Sequence, residues 1–126
     1  MDLCCRAAEF RAPDKALPLA QKALELAPDN WAYCHTLGVV HCRLGQDKEA
    51  VEALERGIKN NKDQATAFDL FFLAMCHHRL GDAAKAKDCY DRGVAWQKQA
   101  KLTPQQVEEL NTFRAEAEAL LKEPKP

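Results

Sequence analysis

Apolar residues in the middle of the chain recur in steps of three and four, which is the spacing of one helix face. One such stripe covers residues 31–41 and a second covers residues 50–58. Asn30 precedes the first stripe as a candidate N-cap, and Asp47 precedes the second. Gly45 lies between them and can adopt the left-handed conformation that ends a helix. The pattern predicts two helices joined by a tight turn.

The same pattern returns 36 residues later, and an incomplete copy lies 34 residues upstream. A fixed period of this length is typical of a helical solenoid, in which each helix pair buries its apolar face against a neighbour. The loop before the later copy is two residues longer, which explains the larger offset. The matched pairs are Leu37 and Leu73, His41 and His77, Gly45 and Gly81, Ala50 and Ala86, and Gly57 and Gly93.

Small residues interrupt the apolar stripes at Gly38, Ala50 and Gly57. We expect two helix backbones to approach closely there, because a bulky side chain at a helix crossing would force the helices apart.

The C-terminal segment predicts one further helix. Thr103 is its N-cap, Pro104 its first residue, and Gln106 completes a capping box. The helix is apolar on one face and acidic elsewhere, as expected for the last helix of an array. We expect it to cover residues 103–122 and to leave residues 123–126 as a frayed tail.

These residues resemble the tetratricopeptide repeat family, whose repeat places Leu-Gly, a turn glycine and small alanines at matching positions. The middle copy supplies Leu37, Gly38, Gly45, Ala50 and Leu54. The sequence departs from the family pattern in several places. Cys34 stands in the usual Trp position, His41 and His77 replace Tyr, Gly57 and Gly93 replace Ala, and Lys62 replaces the closing Pro.

The resemblance implies an all-α fold, an antiparallel helix-pair solenoid of about 2.5 repeats with a C-terminal capping helix. Residues 1–122 would form a single domain. Its parts would be a partial first repeat at 1–28, a second repeat at 29–62, a third at 65–98 and the capping helix at 103–122.

Met1 enters the pattern part-way through a first helix. We therefore expect the chain to be a piece of a longer protein, with a native start and a short first helix as the alternative. In either case the N-terminal edge should expose apolar surface that another repeat or subunit would cover.

A narrower resemblance concerns the C-terminal tetratricopeptide segments of large bacterial multidomain proteins, of the Ser/Thr kinase or WD-repeat type. The residues that carry it are FDLFFLAMCHHRLGDAAKAKDCYDRGVAWQ, from position 68, and EELNTFRAEAEALL, from position 108. It implies a bacterial regulatory scaffold, although these residues contain no kinase motif.

In this family the first helix of each pair lines a concave face that binds a peptide or protein. By resemblance, the partner-binding positions are His35, Val39, Arg43, Phe68, Phe71, Met75, His78 and Arg79. The Lys and Asn that grip a peptide carboxylate in some members are missing at these positions. Phe68, Phe71 and Phe72 form an aromatic cluster, which either is buried within the array and under the last helix or lines an apolar groove.

Charge and composition narrow the classes of partner that we expect. The chain has 18 basic and 19 acidic residues and a net charge of −1, so we expect neither nucleic acid nor an anionic membrane as a partner. There is no apolar run of membrane-spanning length, and the stretch MDLCCRAAEFR lacks the pattern of a secretory signal. Six cysteines without such a signal favour reduced thiols in the cytoplasm.

No motif for catalysis or for a cofactor is present, because the sequence lacks GxSxG, a P-loop and a Gly-rich phosphate cradle. Cys34 and His41 are two helical turns apart, which is too far for one zinc ion, and we expect no metal. The leading hypothesis is a non-catalytic scaffold for protein–protein interaction. The alternatives are a metal- or redox-responsive sensor that uses Cys and His groups, and homo-oligomer formation through the N-terminal edge.

Overall fold

Six α-helices make up the part of the chain that the structure, a computed structural model, describes, which is residues 13–122. There are no strands within this range, so the predicted all-α fold of antiparallel helix pairs is confirmed. The first helix of the partial first repeat was predicted in residues 1–12, which lie outside the described residues. The helices are α1 (Pro13–Leu26), α2 (Trp31–Arg43), α3 (Asp47–Asn60), α4 (Ala67–Arg79), α5 (Ala83–Gln99) and α6 (Pro104–Leu121).

Side-chain caps fix the starts of α2, α5 and α6. Asn30 caps α2 as predicted, since its side-chain oxygen accepts from the Tyr33 N–H at 3.1 Å. Thr103 and Gln106 form the predicted capping box on α6. The prediction for Asp47 was wrong by one position, because Gln46 is the N-cap of α3 and makes no side-chain cap bond. Asp47 is instead the first helical residue, where its carboxylate faces the positive end of the helix dipole.

Glycine in the left-handed conformation ends the first helix of the second repeat and of the third. Gly45 has φ +79° and Gly81 has φ +88°. Around Gly45, the Gln46 N–H donates to the His41 carbonyl at 2.9 Å and the Gly45 N–H donates to Cys42. Gly81 is surrounded by the same pair of bonds. This is a Schellman motif, which satisfies the last carbonyls of the helix and reverses the chain within three residues.

The junction after α3 uses the left-handed conformation without glycine. Lys62 has φ 57° and Asp63 has φ 60°, and the Asp63 N–H donates to the Ile58 carbonyl at 3.0 Å. Lys62 thereby occupies the position that glycine holds in the other two turns. This is where the family pattern places proline, whose φ is restricted to negative values.

Two compact units divide the chain between Gln64 and Ala65. In unit 1, α2 packs against α1 and α3. A Cβ added to Gly38 would lie 2.5 Å from Leu54 Cγ, and one added to Gly57 would lie 3.1 Å from the Trp31 carbonyl oxygen. The predicted close approach at these glycines is therefore confirmed.

In unit 2, α6 packs against both α4 and α5. Phe113 of α6 contacts the rings of Phe72 and Phe68, with centroids 4.8 Å and 6.5 Å away. Gly93 of α5 leaves room for Phe71, since an added Cβ would lie 2.7 Å from its ring. The core of this unit is thus an aromatic layer that the last helix closes.

No described helix combines the length and the apolar character that a membrane crossing requires.

Candidate functional site

The eight residues predicted to contact a partner all lie on α2 and α4, the first helices of the second and third repeats. Five of them are buried, namely His35, Val39, Phe71, Met75 and His78. Three are half-buried, namely Arg43, Phe68 and Arg79. Only the half-buried side chains present surface to a partner without rearrangement. Contact between these eight residues and a partner stays a prediction.

The aromatic cluster is divided between core and surface. Phe71 and Phe72 are fully buried, and Phe71 packs on Tyr90 with ring centroids 5.8 Å apart. Phe68 is half-buried and touches the edge of Phe113. Of the two alternatives, burial within the array holds for Phe71, which packs against α5, and for Phe72, which packs against Phe113 of the last helix. Of the three rings, Phe68 alone keeps exposed surface.

The four described cysteines are buried, and none of Cys34, Cys42, Cys76 and Cys89 forms a disulfide. Burial raises the pKa of the Cys34 thiol, an effect that the positive charge of Arg56 and a hydrogen bond from Asn60 only partly oppose. The thiolate is the species that attacks oxidants and binds metals, so Cys34 is poorly suited to either task.

A cavity of about 450 Å³ lies among α4, α5 and α6 of unit 2. We call it the His78 cavity. Because α5 and α6 run in opposite directions, the start of α5 and the end of α6 meet there. Its lining consists of His78, Ala83, Lys87, Tyr90, Asp91, Glu118, Leu121 and Lys122.

Paired charges surround the His78 cavity. Lys87 Nζ lies 2.8 Å from Asp91 Oδ2, and a hydrogen bond from this ammonium to Asp91 raises the pKa of Lys87. Glu118 accepts a hydrogen bond from the Tyr90 hydroxyl at 2.9 Å and lies 3.3 Å from Lys122 Nζ. The bond from Tyr90 and then the one from Lys122 hold the pKa of Glu118 below its usual value. Each lysine thus neutralises one carboxylate.

The imidazole of His78 has no such partner. The side chain is 4 % exposed, and both ring nitrogens are buried without a hydrogen bond to any residue that the structure describes. Buried polar atoms normally have a partner in the protein or an ordered water. Each ring nitrogen exposes less than 1 Å² of surface, so a ligand in this cavity would reach one of them only after a local movement.

Sequence reasoning selected His78 and missed the rest of this lining. The available signal was the i, i+4 spacing of Lys87 with Asp91 and of Glu118 with Lys122, which favours ion pairs on a helix.

Comparison with known proteins identifies the repeats. A family model for the tetratricopeptide repeat matches residues 7–71, and a second tetratricopeptide repeat model matches residues 70–99. The chain belongs to the tetratricopeptide repeat family, whose members are generally protein–protein interaction modules. Neither a curated protein nor a solved structure matches the chain. The bacterial multidomain parent and the cytoplasmic location stay predictions.

Proposed function

We propose that this protein is a non-catalytic scaffold that binds a peptide or protein partner on its concave face. The observation that carries this proposal is the match of tetratricopeptide repeats along the chain, together with first helices that keep partly exposed Arg and Phe side chains. Arg and aromatic residues are the types enriched where proteins bind one another.

Two arginines occupy matching places, one on the first helix of each pair. Arg43 ends α2 in unit 1 and Arg79 ends α4 in unit 2, and both side chains are half-buried. A guanidinium presents several N–H donors in a fixed plane, which suits a carboxylate or a peptide carbonyl. Phe68, at the start of α4, adds apolar contact surface.

The experiment compares partner capture by variants of each unit, with the purified protein as bait. We expect Arg43→Gln and Arg79→Gln each to reduce the captured amount of the same specific partner about tenfold, which is the loss of one charged hydrogen bond. Arg92→Gln is the matched control, because Arg92 lies on the second helix of its pair and is exposed. Equal capture by all four proteins, with unchanged circular dichroism and Tm, would refute the binding face.

Self-association through the N-terminal repeat is a second candidate, and one observation favours it. Leu19 and Leu26 on α1 are 62 % and 76 % exposed. Exposed leucines on one helix are a common basis for association between copies. Light scattering should give a dimer mass that Leu26→Glu converts to a monomer mass, whereas a monomer at millimolar concentration removes this candidate.

The sensor alternative has less support. Burial raises the pKa of the Cys34 thiol, which is the direction that lowers its reactivity.

A further inference from the structure

The His78 cavity lies beside two ring nitrogens that lack a hydrogen-bond partner, and its lining restricts which ligands can bind there. A neutral imidazole offers one N–H donor and one acceptor nitrogen. At His78 both nitrogens are buried and without a partner among the described residues, and the surrounding wall leaves a cavity of about 450 Å³. This volume falls within the range of small-ligand pockets.

The balanced charges of the lining favour a ligand with no net charge. Lys87 is paired with Asp91, and Lys122 with Glu118, so the lining has equal numbers of positive and negative groups. An anion would have to displace a carboxylate from its lysine, and a cation would have to displace a lysine. A group with no net charge competes neither with the carboxylates nor with the lysines of these pairs.

The rest of the cavity lining favours a ligand with an aromatic ring. Ala83 and Leu121 supply apolar surface, and Tyr90 supplies an aromatic ring whose hydroxyl is already bonded to Glu118. Aromatic side chains pack well against apolar and aromatic walls, and those with a polar tip use it when buried. A ring that carries a hydroxyl group suits His78, because a hydroxyl can both donate and accept a hydrogen bond. It can therefore pair with either tautomer of the imidazole.

We propose that the His78 cavity receives a tyrosine side chain of a bound partner, with the phenol hydroxyl hydrogen-bonded to a ring nitrogen of His78. This inference rests on the proposed interaction function and gives one anchor residue of the partner. Access to a ring nitrogen requires the His78 imidazole to turn towards the cavity, because both nitrogens are buried. The rim can yield as well, since the Lys87 and Lys122 side chains are 77 % and 75 % exposed.

The test is a titration followed through the His78 side chain by nitrogen NMR, with three probes. N-acetyltyrosinamide should shift the His78 ring resonances, and N-acetylphenylalaninamide, which lacks the hydroxyl, should bind roughly tenfold more weakly. The phosphotyrosine amide should bind more weakly than the tyrosine amide, because its phosphate would have to compete with a carboxylate for Lys87 or Lys122. Equal binding of the first two probes, or no shift with the tyrosine amide at millimolar concentration, overturns the proposal.

Variants supply the control. Binding by the variants is measured by calorimetry, because His78→Phe removes the ring that the NMR titration follows. His78→Phe should abolish the preference for the tyrosine amide over the phenylalanine amide, whereas His77→Gln, its neighbour outside the cavity lining, should retain it. If His78→Phe does not fold, Ala83→Leu serves instead, since a larger side chain at Ala83 fills the cavity from the first turn of α5. Retention of the preference in the folded cavity variant contradicts the site.

The two proposals fail in different ways. If Arg79→Gln loses partner capture but His78→Phe and Ala83→Leu do not, the interaction function stands and the tyrosine anchor is refuted. If the protein shows no preference for the tyrosine amide and every variant captures the partner equally, both the interaction function and the tyrosine anchor are refuted.

Discussion

At Gly38 the contact between α2 and α3 leaves no space for a side chain. An added Cβ would lie 2.5 Å from the fully buried Leu54 and 3.2 Å from its backbone nitrogen. The helices could accept a methyl group only by moving apart or by forcing Leu54 from its place.

We therefore expect Gly38→Ala to reduce the free energy of unfolding by about 1–3 kcal/mol, the usual cost of overpacking. Urea unfolding followed by circular dichroism measures this. Lys59→Ala is the control, because it adds no atoms to the core from its exposed position on α3, and it should change the free energy by less than about 0.5 kcal/mol. A variant as stable as the parent protein would mean that the two helices are further apart than described.

At the scale of the element, α6 depends on the capping box at its start. The Gln106 N–H donates to the Thr103 hydroxyl at 3.2 Å, and the Thr103 N–H donates to the Gln106 side chain at 3.0 Å. Pro104 adds a residue whose φ is already suited to a helix.

Thr103→Ala should cost about 1 kcal/mol of unfolding free energy, since it removes the cap oxygen. Hydrogen exchange should show faster exchange in the first turn of α6. The matched control is Thr112→Ala on the same helix, because the Thr112 hydroxyl only bonds back to the Glu108 carbonyl. That variant should be neutral, and equal losses in the two variants would contradict the capping role.

Glu118 joins the end of α6 to α5 through the Tyr90 hydroxyl, and its lowered pKa makes this link depend on pH. A carboxyl whose pKa is lower when folded stabilises the fold fully above its ordinary pKa. That contribution disappears as the pH falls through the lowered value. The parent protein should therefore be more stable than Glu118→Gln at neutral pH. The difference in stability between the two should shrink towards zero on acidification below about pH 4.

Thermal melts between pH 7 and pH 2.5 measure this difference. Glu108→Gln, an exposed change elsewhere on α6, should give a pH profile parallel to that of the parent protein. A difference for Glu118→Gln that grows with acid would show that the carboxylate is unfavourable where it lies.

How far the sequence predicts each element depends on whether its signal is local. The cap at Asn30, the capping box at Thr103 and the turn at Gly45 were predicted correctly because each depends on a few adjacent residues. The Asp47 cap was off by one residue because the turn after Gly45 uses fewer residues than expected. The His78 cavity was not predicted, since its lining comes from three helices whose mutual positions follow from packing.

At the scale of the whole molecule, each of the two units has its own core. Unit 1 is built on close glycine contacts, and unit 2 on an aromatic layer that includes Phe113. Phe113 is 1 % exposed, so its removal leaves a cavity between α4 and α6.

We expect Phe113→Ala to cost about 3–5 kcal/mol, with loss of hydrogen-exchange protection in α4 and α6. Val107→Ala is the control on the same helix, because Val107 is 38 % exposed and its removal opens little space. Unchanged protection in α4 after loss of the Phe113 ring would contradict the role of α6 as the closing helix.

The division into two units gives each one an optical reporter. The chain has two tryptophans, Trp31 in unit 1 and Trp96 in unit 2. Replacing either tryptophan with phenylalanine leaves a single tryptophan, so tryptophan emission, excited selectively over the two tyrosines, reports on one unit at a time. Fluorescence melting of the two variants can therefore show whether the units unfold together or in sequence, without isotope labelling or chain cleavage.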